Sequence, residues 1–181
     1  MFDAQGAVTF DLSRGLVRLR GESPQVLIPA DLFVAACEGG AADQLGARMG
    51  TSLAARLRER LGDTVNQPHE VVFEQLAGEL ALAGLGALRL ERWGAAVVFV
   101  LGACPLGRCS EIFVEALLVT ALVDIGQREL AVVSLGRSGD DSRYAVLAPT
   151  VATQLRRKLE VGEAWHALLA GLRPDGDSHG A

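Results

Sequence analysis

Aromatic residues make up only 5% of this 181-residue chain, and Lys158 is the single lysine among its 17 basic side chains. With so few rings, the core is expected to be built mainly from Leu, Val and Ala. The arginine preference, beside abundant Ala and Gly, fits a GC-rich genome and carries no functional weight by itself. Cysteine is scarce too: three, an odd number. No basic segment followed by an apolar one opens the chain, so no signal peptide is expected. Together these features argue against a disulfide framework and for a reducing cytoplasm. The longest apolar run is too short and too interrupted to cross a bilayer, so no transmembrane segment is expected. The net charge of −5 argues against nucleic acid as a partner. No GxSxG, HExxH, P-loop or GxGxxG pattern is present. LAGLGAL carries glycines, but it joins a helix to a strand, the reverse of the phosphate-binding order.

The second half is the most informative part. It reads strand, turn, strand, helix, strand, turn, strand: Gly86–Trp93, Gly94–Gly102, Ile112–Ile125, Glu129–Leu135 and Ser142–Leu147. Trp93-Gly94 and Arg137–Asp141 are the turns. The helix IFVEALLVTALVDI is apolar on almost every side and needs cover on more than one face. The first half opens with one or two strands over Ala7–Arg20 and a short one at Gln25–Ile28. Pro29 then opens a short helix, Ala30–Cys37, that stops at Gly39-Gly40. A longer helix, about Ala41–Leu61, carries Leu45, Met49, Leu53, Leu57 and Leu61 as one stripe. Gly46, Gly50 and Ala54 run beside it. Two interior glycines cost roughly 1 kcal/mol each relative to Ala, which close approach of another element would offset. A third helix, His69–Ala83, and C-terminal helices after Pro149 and over Glu163–Leu172 complete the pattern. Length fits one domain, residues 1–172, with a disordered polar tail at 173–181. Strands and helices without βαβ regularity point to an α+β fold, with an antiparallel sheet and helices on one face.

Individual residues offer little chemistry. Cys104 and Cys109 bracket ACPLGRC, but zinc sites need further ligands nearby; two ordinary loop thiols are the plainer reading. Cys37 reads as a small buried hydrophobe, or as a thiol opening into a lipid-sized cavity. His69 and His166 lie in distant segments, so any nucleophile–base pairing would depend on the fold. Arg156-Arg157-Lys158 reads as helix-end charge on a solvated face, with anionic lipid or an acidic partner as the alternative. Glu115 and Asp124 on the apolar helix are expected to be exposed or capped. Trp93, if exposed at its turn, is a candidate interface anchor.

Three segments resemble the superfamily that joins the small subunits of the TRAPP tethering complex to prokaryotic 4-vinyl-reductase-like, hydrocarbon-binding domains. LGARMGTSLAARL resembles the helix pattern Met-Gly-x-x-x-Gly-x-Arg-Leu, matched by Met49, Gly50, Arg56 and Leu57, with Ala54 for the second Gly. ALRLERWGAAVVFVLGACPL is similar to the first long hairpin. FVEALLVTALVDIGQRELAVVSLGRSGDDSRYAVLA is similar to the central helix and closing hairpin, with Asp141, Arg143 and Tyr144 at the motif positions. The resemblance covers about Leu16–Leu159. It implies a twisted antiparallel sheet of about four main strands packed against helices, of the type found in ligand-binding domains of NO signalling and Golgi transport. It also implies binding or assembly rather than catalysis, and a dimer formed through helices. In one branch a helix cysteine is acylated; Cys37 lies in a comparable helix but closer to Met49-Gly50. No cofactor or metal is implied for this chain.

Two functional expectations follow. In the first, the chain is a non-enzymatic, cytoplasmic bacterial assembly domain, homodimeric through Gly46, Met49, Gly50, Leu53 and Leu57, with a small GTPase or assembly component as a possible protein partner. In the alternative, a pocket between sheet and helices holds an apolar small molecule or acyl chain. Cys37, Phe73, Val98, Val100, Phe113 and Leu117 are its lining candidates.

Overall fold

The computed structural model describes residues 5–19, 23–107 and 110–172. Cys109 and the expected tail at 173–181 lie outside them. Two antiparallel sheets organise the chain. Strands β1 (Val8–Asp11), β2 (Leu16–Leu19) and β3 (Ser23–Gln25) form a small N-terminal sheet in that order. Pro24 sits in β3, an edge strand, where a missing N–H breaks no ladder on the open side.

Helix α1 (Ala30–Ala36) follows Pro29 and passes through a π-turn, Cys37–Ala41, into α2 (Ala42–Leu61). The expected stop at Gly39-Gly40 is this bend: Gly40 adopts φ 89°, open to a residue without Cβ. Gly62 ends α2, its N–H donating to the Arg58 carbonyl at 2.8 Å. After a 3-10 turn, Thr64–Asn66, comes α3 (His69–Leu82).

The main sheet is built from β4 (Ala87–Trp93), β5 (Ala96–Gly102), β6 (Ala131–Ser138) and β7 (Asp141–Leu147), ordered β4-β5-β7-β6. Between its hairpins lies α4 (Ser110–Gly126); α5 (Pro149–Glu160) and α6 (Trp165–Ala170) end the described chain. The α+β architecture and N-terminal strands are as expected, with the third strand at Ser23–Gln25 rather than Gln25–Ile28.

The expectation of helices on one face is corrected. On β5 the side chains of Val97, Phe99 and Leu101 join the cluster packed with α2, α3 and α4. Ala96, Val98 and Val100 point the other way, into a second cluster with Ala152 and Leu155 of α5 and Leu169 of α6. β5 is a nearly continuous apolar run because both its faces are buried. Trp93 is not an exposed anchor: its ring meets Trp165 of α6 edge-on at 5.0 Å, and its indole N–H donates to Glu91 Oε2 at 3.0 Å.

The apolar helix α4 has its two covers, the sheet and α2. The glycine stripe of α2 makes the second possible. A Cβ added at Gly50 would stand 2.5 Å from the Leu117 carbonyl oxygen and 2.9 Å from Thr120 Cβ; one at Gly46 would run into the Phe113 carbonyl oxygen. Leu53 and Leu57 are fully buried in the same cluster, and Met49 packs against it. The five residues expected to form a dimer seam are thus used within the chain, because removing two Cβ atoms lets α4 approach as closely as a second subunit could. At the C-terminal end of α4, the Thr64 hydroxyl donates to the Ile125 carbonyl at 2.9 Å and Arg58 to that of Asp124 at 3.4 Å. These side chains satisfy carbonyls that the helix itself leaves unpaired.

Candidate functional site

The apolar candidate residues lie mainly between the helical layer and one face of the main sheet. Phe33 of α1 meets Phe113 of α4 edge-on, with ring centroids 5.1 Å apart. Phe73 of α3 meets Phe99 of β5 at 5.5 Å. Helical spacing explains the first pair: Phe33 and Cys37 stand four apart, so both turn inward from a helix whose remaining residues are largely exposed. The cross-strand register explains the second. Phe99 lies between Leu90 and Tyr144, on the face opposite to Val98 and Val100. Four of the six expected pocket residues, Cys37, Phe73, Phe113 and Leu117, therefore share one apolar cluster. Val98 and Val100 do not belong with them. The alternation along β5 sends them to the α5–α6 side.

The polar groups at the margin of this cluster come from α2 and α3. Glu79 is wholly buried and bridges two cations: its Oε2 lies 3.1 Å from Arg56 Nε and its Oε1 2.8 Å from Arg60 Nη1. One turn earlier on α3, Gln75 is 8% exposed, and its Oε1 has no hydrogen-bond partner. A buried acceptor in that state is open to a hydrogen-bond donor. Arg56 was visible in the sequence as a motif residue; Glu79, Arg60 and Gln75 were not singled out. For Gln75 and Glu79 the signal was their spacing of four on α3 beside the apolar Leu76 and Leu80.

Cys37 and Cys104 are both buried and form no disulfide. Burial pushes the Cys104 thiol up from its ordinary value, against the bond it receives from the backbone at Leu106, so the protonated form is favoured. His69 at the start of α3 is exposed, and so is His166, whose ring meets Trp165 at 5.7 Å. Among the described residues no group of three or more His, Cys, Asp or Glu side chains is placed to hold a metal.

A charged patch closes the far end of the other sheet face, beside Val100. Asp141 accepts from Arg89 at 2.6 Å, and Glu91 lies 3.4 Å from Arg143. The hydrogen bond from Trp93, together with Arg143, holds the Glu91 carboxyl below its ordinary value. Of the three motif residues, Asp141 and Arg143 thus serve this patch, while Tyr144 is fully buried on the helical side.

Among the described residues no helix is long and apolar enough to cross a membrane. The sequence matches no protein-family model and no curated protein. Solved structures do share the fold. One is the phenol-responsive sensory domain of the transcription activator PoxR, solved with phenol: it aligns over 94% of this chain and 94% of its own, with a TM-score of 0.61 and 11% sequence identity. At that identity the likeness establishes a common fold.

Proposed function

We propose that this chain is a sensory module that binds a small apolar or aromatic molecule without transforming it. The observation that carries the reading is the pair of ring contacts, Phe33–Phe113 and Phe73–Phe99. They join α1 and α3 to α4 and the sheet within one apolar cluster. Ligand sites of this class are largely apolar with a few polar groups that fix orientation. Gln75 Oε1, elsewhere on α3, is a buried acceptor able to accept from a hydroxyl or amide. The shared fold with a phenol-responsive domain supports the same class of ligand. The buried thiols fit a reducing, cytoplasmic setting, and within the TRAPP and 4-vinyl-reductase-like superfamily this reading favours the hydrocarbon-binding branch.

Thermal unfolding with phenol and a series of alkylphenols tests it. A ligand at one hundred times its dissociation constant stabilises the folded state by about 2.7 kcal/mol. For a chain of this size that is on the order of 5 °C or more in Tm. Phe113→Ala should abolish the shift. No shift with any member of the series, together with no co-purified molecule in native mass spectrometry, would overturn the reading.

A second reading, assembly through protein contacts, has its own observation. Val26, Leu27 and Ile28 precede α1 and are 83%, 69% and 53% exposed, and Leu32 of α1 and Ile112 of α4 are exposed as well. Contiguous exposed apolar surface of this kind is a feature of binding faces. A homodimer, or an assembly partner such as a small GTPase, would cover it. Leu27→Asp combined with Leu32→Asp should then lower the mass measured by light scattering. A wild-type protein already monomeric at high concentration rules out the homodimer.

A further inference from the structure

We propose that Glu115 and Arg156 form a side-chain plug that closes the open edge of the main sheet against strand addition, and that the strand it excludes is β6 of a second copy. In the order β4-β5-β7-β6, β6 is an edge strand, with a ladder partner on one side only among the described residues. Its other side should present unpaired N–H and C=O groups, a template for another strand. Two of these are taken by side chains. Glu115 Oε2 accepts from the Ser134 N–H at 2.9 Å, and Arg156 donates to the Val132 carbonyl at 2.7 Å. The two side chains also bond each other, Arg156 Nη2 to Glu115 Oε1 at 2.6 Å. Glu115 reaches the edge from α4 on one face of the sheet and Arg156 from α5 on the other.

The chemistry matches what it replaces. Along a strand, residues two apart direct their backbone groups to the same side. In an added antiparallel strand, the residue opposite Ser134 would give its carbonyl to the Ser134 N–H and the residue opposite Val132 its N–H to the Val132 carbonyl. The carboxylate supplies that acceptor and the guanidinium that donor. Just beyond, the ladder is irregular between Ser134 and Gly136, and the Gly136 N–H turns to Ser134 Oγ at 3.4 Å. Bulges and charges are two of the devices that blunt sheet edges.

A second copy is the occupant because of what β6 is. Ala131–Leu135 reads Ala-Val-Val-Ser-Leu, without charge or proline and rich in β-formers. Two such edges pair antiparallel about a two-fold axis, each presenting the same groups to the other.

The test compares Glu115→Ala/Arg156→Ala with wild type, without any ligand, after far-UV circular dichroism has shown the variant folded. Amide exchange at Ser134 should quicken by about tenfold or more as its bond is lost. The mass from light scattering should rise above the wild type's own value, whatever that is. Glu115→Met keeps bulk on α4 while removing the acceptor, and serves if the double variant does not fold. Arg157→Ala, an exposed neighbour on α5, should change neither measurement. Unchanged Ser134 exchange in a folded variant overturns the plug. Faster exchange without added mass overturns the second copy as the excluded strand.

Discussion

Gly50→Leu is expected to destabilise the protein by about 3 kcal/mol or more, a loss on the order of 10 °C in Tm. The reason is that the atoms facing Gly50 are backbone. The Leu117 carbonyl and the Ala121 N–H group belong to the hydrogen-bonded interior of α4 and cannot move aside as a side-chain tip can. Helix propensity acts the other way: leaving glycine gains roughly 1 kcal/mol in a helix interior. The separation of α2 and α4 decides the outcome. Even Gly50→Ala would place its methyl 2.9 Å from Thr120 Cβ, so alanine should also destabilise, by less. Ala55→Leu, exposed on the same helix, should be nearly neutral. Thermal melts of the three variants check the order. A dimer seam at Gly50 predicts something else: a smaller mass with the fold retained. Gly50→Leu melting within about 2 °C of wild type would contradict the crossing described above.

The second large effect is expected at Glu79. Glu79→Ala removes the carboxylate that holds Arg56 and Arg60 together and leaves two partly buried cations side by side. Breaking a buried ion pair by deleting one partner costs about 3–5 kcal/mol. Arg56 and Arg60 are themselves 19% and 27% exposed, which places the effect toward the lower end. Replacing all three by apolar residues of similar size should recover most of the loss, since it removes the stranded charge as well as the pair. Urea unfolding of the single and triple variants separates the two cases. If the triple variant is as unstable as Glu79→Ala, the network contributes geometry that apolar packing cannot replace.

Much of the fold was legible locally. Periodicity of 3.6 placed α2 and α3 within a residue or two, and glycines marked their ends. The two hairpins around α4 followed from alternating strands and turn residues. The closing strand was placed early, at Glu129–Leu135 rather than Ala131–Ser138, because Arg137 and Ser138 look like loop residues but continue the ladder past a bulge. The resemblance also located Arg56 and Asp141, Arg143 and Tyr144, without saying what each would touch.

The candidate site was legible in part, and the limit is instructive. Phe113, Leu117, Phe73 and Cys37 fall in one apolar cluster because each lies on the inward side of a helix. Val98 and Val100 fall in the other, and the sequence did not show this because a strand buried on both faces has no polar side to orient it. Period two says that Val98 opposes Phe99; it does not say which of them meets α3. The aromatic partners and the unsatisfied Gln75 depend on elements far apart in the chain packing together, beyond the reach of local pattern.

By itself the sequence determined the elements: the helix that must be covered twice, the glycine notches that permit close approach, and the α+β class. Those are local properties, set by side-chain period and backbone freedom. Only the tertiary structure decided what fills the notches, which face of β5 meets which helices, and that Glu115 and Arg156 close an edge from opposite sides. Each of those outcomes is a choice among partners far apart in the chain, and burial, packing distance and hydrogen-bond geometry make that choice only once the whole chain is folded.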